Sequence, residues 1–253
     1  MLTTPLSVVT YNVLAESYVR PGRYRGVDPV ALEPTARRQR VLDRIAGLDA
    51  DVLCLQEVEP DVFEALTTRL TSHDGRFAKK LGRPEGSAIF VRRDALSIES
   101  THTLRYTHGD KCALAFIVHL SDGLSVASTH LQWAPPRTAR DQHIGRLQLI
   151  ELLAYVDARP DTWLLTGDLN DISEGMVIQA AAERGWKLSC RTQRPWDSSH
   201  INGRRRKLDY LLYRSEQLRP EPGTLPTLTG DTPLPTLTEP SDHLPVLVRY
   251  TPA

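Results

Sequence analysis

The sequence predicts an α/β sandwich: two packed mixed β-sheets flanked by outer helices, in a four-layer α-β-β-α order. Three observations lead there. Strand-like and helix-like segments are interleaved without strict alternation, and several strand-like segments follow one another directly. That pattern disfavours a doubly wound parallel sheet, whose neighbouring strands need a crossover between them. No repeat or low-complexity linker divides the 253 residues. One domain over residues 1–253 is therefore expected, and single domains with large sheets reach this length.

Taken in order, residues 6–13 are β-branched and aromatic and close on Asn12, as a buried strand does. A loop rich in Arg, Gly and Pro follows over 20–29. Residues 34–48 place Val41, Ile45 and Leu48 at helical spacing. Residues 51–58 (DVLCLQEV) are a continuous apolar run ending near a carboxylate, and a second helix is read over 60–70. Residues 87–92, 113–120 and 124–130 read as strands. The longest helical pattern covers 138–156, with Ile144, Leu147, Ile150 and Leu153 on one face. A strand over 162–167, a short helix over 175–185 and closing strands over 208–213 and 246–250 complete the set. The Pro-rich stretch 220–240 reads as a loop inside the domain, because the motif SDHLP follows it.

Composition is that of an ordinary globular chain, with 40% hydrophobic and 25% charged residues. The 31 basic residues balance the 31 acidic ones, which argues against broad electrostatic binding to duplex DNA. A short nucleic-acid substrate stays open, since acidic metal ligands mask local basic patches in the sum. Cys54, Cys112 and Cys190 are scattered with no CxxC pair. They read as indifferent thiols in a reducing compartment, not as a zinc site. No apolar run approaches the roughly 18–20 residues of a membrane span, and no charged-then-apolar leader pattern opens the sequence. A cytoplasmic monomer without a membrane partner is expected.

Chemistry gathers where strands end. VVTYN ends at Asn12, VLCLQE at Glu57, VASTH at His130, WLLTGDLN at Asp168 and Asn170, and KLD at Asp209. One polar residue after a strand is usually a loop or a cap. Several such ends imply that they converge on one surface. Oxygen ligands suit magnesium or manganese better than zinc, and magnesium works with one or two carboxylates plus substrate phosphate.

The blocks TYNVLAESY, CLQEVE, ASTHLQW, LLTGDLND, KLDYLLY and PSDHLPVLVRY cover residues 10–250. In order and spacing they resemble the endonuclease/exonuclease/phosphatase superfamily, whose fold is the DNase I-like sandwich. TYNVLAESY and STHLQW are most similar to the nocturnin and Angel type of deadenylase-like enzymes. The resemblance implies Glu57 as the principal metal ligand, with Asn12 beside it and Asp242 completing the acidic floor. It implies Asp168 as the group that orients or deprotonates the attacking water. His243 would contact the scissile phosphate, with Asp209 orienting its ring, while Asn170 and His130 would hydrogen-bond phosphate oxygens. The implied cofactor is Mg2+ or Mn2+, and the implied substrate is RNA or a small nucleotide.

Other residues have two readings. The run Arg204 to Lys207, with Arg205 and Arg206 at its centre, is either a solvated loop or a set of phosphate contacts. Arg137 and Arg140 carry the same ambiguity, and Trp133 and Trp196 either pack or stack on bases. His73, His102, His108, His119, His143 and His200 read as structural. The leading function is a magnesium-dependent phosphoesterase acting on RNA, by 3′ exonuclease action or by end processing such as 2′,3′-cyclic phosphate removal. The alternatives are a lipid or inositol phosphatase or sphingomyelinase of the same superfamily, a DNA-repair endonuclease, and a catalytically silent nucleic-acid-binding module.

Overall fold

The computed structural model describes residues 4–20, 22–190, 196–228 and 233–253. Residues 1–3, on which the leader reading partly rests, and 229–232 of the Pro-rich stretch lie outside them. Along the chain the first elements are β1 (Leu6–Asn12), α1 (Pro34–Ala46), β2 (Val52–Val58), α2 (Pro60–Arg69), β3 (His73–Lys79) and β4 (Gly86–Arg92). Then come β5 (Ile98–Arg105), β6 (Leu114–Leu120), β7 (Leu124–His130), α3 (Ile144–Asp157), β8 (Thr162–Asp168) and α4 (Met176–Glu183). The last are β9 (Lys187–Leu188), β10 (Ser199–Ile201), β11 (Arg204–Arg206), β12 (Asp209–Tyr213), β13 (Leu218–Pro222) and β14 (Val246–Pro252). One sheet runs β13-β14-β1-β2-β4-β3, the other β5-β6-β7-β8-β12-β9, and β10 and β11 form a separate hairpin.

The expected four layers follow from period-two alternation. Val8, Val52, Cys54 and Ile89 of the first sheet meet Phe116, Val118, Val126 and Leu164 of the second in a shared core. Their neighbours Val9, Leu53, Leu55 and Phe90 face outward onto Ile45 and Leu66 of α1 and α2. On the second sheet, Ile117, Trp163 and Leu165 face Leu149, Leu152 and Val177 of α3 and α4. With both faces covered, interior strands read as nearly continuous apolar runs.

The third helix begins at Ile144, not at residue 138. The His143 side chain caps it by accepting from the Arg146 backbone N–H. Its buried face carries Leu149, Leu152, Leu153 and Val156, so of the four residues expected there only Leu153 belongs to it. The helix has leucine or isoleucine on several sides, and periodicity alone does not choose among them. The Pro-rich stretch begins inside a strand, β13, which among the described residues pairs only with β14. Prolines are tolerated there because an edge strand has a side that makes no ladder bonds.

The topology sets strand ends side by side. β1 and β2 run parallel with Asn12 opposite Gln56, and β7 and β8 run parallel with His130 opposite Asp168. β12 runs back against β8, which places Asp209 beside Asp168. Gly167 makes this possible. Its φ is +140°, and a Cβ there would lie 1.8 Å from the Thr129 carbonyl oxygen. Gly167→Ala is expected to cost about 1–3 kcal/mol, the scale of a strained backbone position. Urea unfolding measures it, and a loss under half a kcal/mol would refute the close approach.

Candidate active site

Eight predicted residues meet at one end of the sandwich: Asn12, Glu57, His130, Asp168, Asn170, Asp209, Asp242 and His243. Glu57 reaches the site through an irregularity in β2. The register with β4 shifts between Leu55 and Val58, and Glu57 has a left-handed φ of +58°. A bulge of this kind re-aims a side chain at a local backbone cost. Glu57 Oε1 accepts from Asn12 Nδ2 at 3.0 Å, and Oε2 accepts from the Ala15 backbone N–H at 3.1 Å. The same Asn12 nitrogen donates to Asp168 Oδ2 at 3.2 Å. Asn12 thus joins a carboxylate from each sheet.

His243 Nδ1 lies 2.8 Å from Asp209 Oδ2, and Nε2 lies 3.6 Å from Asp168 Oδ2. Burial alone would lower the ring's pKa, but Asp209 and Asp168 outweigh it and hold His243 well above the usual histidine range. Burial pushes the Asp168 carboxyl up, and the Asp209 charge adds to the rise against the pull of His243. His130 has the opposite state. Burial, with the charges of Lys80 and His243, pushes it well below its usual value.

Asn170 sets the tautomer of His130. Its Nδ2 lies 2.9 Å from the Leu131 carbonyl oxygen and 3.0 Å from His130 Nε2. A carbonyl only accepts, so this atom is the amide nitrogen and it donates to both. Nε2 is then an acceptor, and the proton of the neutral ring is on Nδ1, 3.7 Å from Glu57 Oε1. The resemblance implied a phosphate hydrogen bond from Asn170. In the substrate-free structure both amide hydrogens are given to Leu131 and His130, so the side chain orients His130.

Several residues that the sequence reading passed over brace the site. Tyr24 donates to Asp242 Oδ2 at 3.1 Å. Ser241 donates to the Asn12 carbonyl at 2.7 Å and accepts from the His243 backbone N–H. Arg37, only 2% exposed, ion-pairs with Glu16 at 2.8 Å and donates to the carbonyls of Leu14 at 2.9 Å and Pro240 at 3.0 Å. It ties the segment after β1 to the segment before Asp242. The Ser in SDHLP was a visible signal for Ser241. An arginine on the apolar side of α1 was the signal for Arg37.

The basic residues separate. Arg205 donates to the Leu228 carbonyl. Arg206 belongs to the hairpin that leans on His243 through the Ser199–His243 bridge. Lys207 lies over the Trp196 ring at 4.4 Å, so Trp196 packs. Arg140 pairs with Glu183 and Arg137 is exposed. Trp133 is 49% exposed on the wall of a cleft of about 250 Å3 that His130, Asn170, Lys80 and Arg83 also line. A larger cavity of about 840 Å3 runs from Glu57 past Glu16, Glu33, Glu59 and Asp61. Glu85 and Asp110 also line the Trp133 cleft, where they ion-pair with Lys80 and Arg83.

Two groupings offer metal ligands. Asp168, Asp209 and His243 bring ligand atoms within 4.8 Å of one another, but the hydrogen bond with Asp209 already uses Nδ1 of His243. Glu57 fits better. Burial and then the charge of Asp242 raise its pKa. Among the described residues no Lys or Arg pairs with either carboxylate. A divalent cation would relieve that repulsion, and its oxygen donors suit magnesium or manganese.

Comparison with known proteins gives a consistent result. The model of the Endonuclease/Exonuclease/phosphatase family matches residues 9–243. The chain is 28% identical to "Protein angel homolog 2" of Danio rerio over 190 residues, covering 66% of this chain and 33% of that protein. It is 24% identical to "2′,5′-phosphodiesterase 12" of Bos taurus, covering 94% of this chain and 50% of that protein. The chain spans a third to a half of the length of these curated relatives. Among solved structures, ANGEL2, titled a 2′,3′-cyclic phosphatase and bound to adenosine-2′,3′-vanadate, matches with a TM-score of 0.84 at 21% identity, covering 98% and 95% of the two chains. The human nocturnin catalytic domain with a sulfate anion matches with a TM-score of 0.74 at 22% identity, covering 99% and 94%. These likenesses establish the fold.

The two histidines are expected to differ in nitrogen NMR of the metal-free protein near neutral pH. His130 should give a neutral ring protonated on Nδ1, and His243 an imidazolium. A neutral Nε2-protonated His130 would overturn the orientation assigned to Asn170.

Proposed function

Since the chain belongs to the endonuclease/exonuclease/phosphatase family, we propose that it is a divalent-metal-dependent hydrolase of phosphoesters at RNA ends or in small nucleotides. The observation that carries this reading is the buried line Asp209–His243–Asp168–Asn12–Glu57, with contacts of 2.8, 3.6, 3.2 and 3.0 Å. The relatives' names supply the substrate class: a 2′,3′-cyclic phosphatase and a 2′,5′-phosphodiesterase.

Glu57, with Asn12 and Asp242, would hold magnesium or manganese. When bound, the ion supplies Lewis-acid polarisation of a phosphoryl oxygen. Asp168 takes the proton of the attacking water, a task its raised proton affinity suits. His243 donates from Nε2 to a nonbridging oxygen as negative charge gathers there, and Asp209 holds the ring by accepting from Nδ1. His130, held by Asn170, keeps its buried Nδ1–H towards Glu57, so of the two histidines the charged His243 is the phosphate donor.

Magnesium at millimolar level should raise the thermal midpoint of the wild type, by linkage, and Glu57→Gln should lose most of that shift. EDTA should stop hydrolysis. Full turnover in chelator would refute the metal requirement.

Asp168→Asn and His243→Ala should each cost roughly 10²- to 10⁴-fold in turnover, the range for a positioned acid–base group. Labelled RNAs with 3′-hydroxyl, 3′-phosphate and 2′,3′-cyclic ends resolve the reaction. A ladder identifies an exonuclease, and a changed end at constant length a phosphatase. No change in any RNA, with turnover of sphingomyelin or abasic duplex DNA, would reject the RNA reading.

A further inference from the structure

The loop that carries Tyr24 adds a surface to this site. Tyr24 is buried with its hydroxyl on Asp242, and its neighbours Arg23 and Arg25 are exposed. The charge of Arg23 is close enough to act on the Tyr24 hydroxyl. The Arg25 backbone N–H donates to Asn202 Oδ1 at 3.4 Å, so the loop meets the tip of the β10–β11 hairpin. Asn202 and Gly203 both have positive φ, +51° and +72°, as a tight two-residue hairpin turn requires. Arg204 follows that turn and is exposed. The hairpin's other strand joins His243 through Ser199. Both parts are therefore fastened to adjacent site residues, the loop to Asp242 and the hairpin to His243.

These arginines are exposed beside the site with their charges unpaired among the described residues. Among the described residues, no acid forms an ion pair with Arg23, Arg25 or Arg204, whereas Arg37, Arg44, Arg92 and Arg140 are all paired. The chain as a whole is neutral, so attraction for a polynucleotide at this place would come from where these cations sit and not from net charge.

We propose that the 22–28 loop and the β10–β11 hairpin form a cationic ridge that binds the sugar-phosphate backbone of a single-stranded polynucleotide and feeds its end to the site. This rests on the phosphoesterase reading and adds that the substrate is a strand, not only a small nucleotide. Arginines along a ridge contact phosphates without reading sequence. RNA and DNA strands are both accommodated by such contacts, and duplex is disfavoured because only a few cations line the ridge.

The test is the double variant R23E/R25E, with two readouts. The first is fluorescence anisotropy of a labelled 12-residue RNA strand in magnesium-free buffer, repeated with the same sequence as DNA and as duplex. This readout needs no hydrolysis, so it judges the ridge even if the proposed activity fails. Two lost contacts should weaken single-strand binding roughly tenfold at low salt and flatten the slope of log affinity against log salt by about 1.4, at about 0.7 per phosphate. The second readout is hydrolysis by the magnesium-loaded enzyme. KM for the RNA strand should rise, while kcat/KM for bis(p-nitrophenyl) phosphate stays within about twofold of wild type. Equal losses on both substrates would overturn the proposal, because the loop would then act only by holding Asp242. Unchanged strand binding, or tighter binding of duplex than of single strands, would overturn it as well.

Discussion

One nitrogen atom holds the two sheets' chemistry together. Asn12 Nδ2 has two hydrogens, and it gives one to Glu57 on its own sheet and one to Asp168 on the other. Both carboxylates are buried, and a buried carboxylate needs donors or a cation. A sandwich core of valine and leucine tolerates small sliding of one sheet on the other. A shared amide with two fixed acceptors does not. A second polar bond, from Gln56 Nε2 to Ser128 Oγ at 2.9 Å, crosses the same gap a short way inside and adds to the registration.

Charge at this end is allocated, not merely accumulated. Two histidines face the same carboxylate, Asp168, each at 3.6 Å, yet their surroundings drive them to opposite protonation states. His243 has a second acid, Asp209, behind its ring. His130 has an amide behind its ring, which can only donate to it in this geometry. Groups of one type whose environments push them apart are how a single site obtains both a cation and a neutral donor. Asp168 lies between them and gains proton affinity from burial.

How much of this could be read from the sequence follows from where each residue is buried. The interior strands β1, β2, β4, β6, β7, β8, β12 and β14 were all legible as apolar runs. The four edge strands β3, β5, β9 and β13 were not. An edge strand needs no continuous apolar run, as HDGRFAK and LRPEP show, and its pairing is set by a neighbour far away in sequence. The same holds at the site. Residues at the ends of interior strands were found, because a polar residue closing an apolar run stands out. Tyr24 and Arg37 were missed because their partners, Asp242 and the Pro240 carbonyl, are about 200 residues distant. The contact of Asn170 with the Leu131 carbonyl was not legible either, because the motif alone does not reveal that acceptor.

The placement of β14 has a consequence for when the protein becomes competent. This strand lies between β13 and β1, inside the sheet, and Asp242 and His243 immediately precede it. An emerging chain therefore possesses Asn12, Glu57, His130, Asp168 and Asp209 well before it possesses the imidazolium. Until β14 inserts, Arg37 has no Pro240 carbonyl to grip and Asp209 has no ring to orient. On the proposed activity, hydrolytic competence coincides with completion of the sheet.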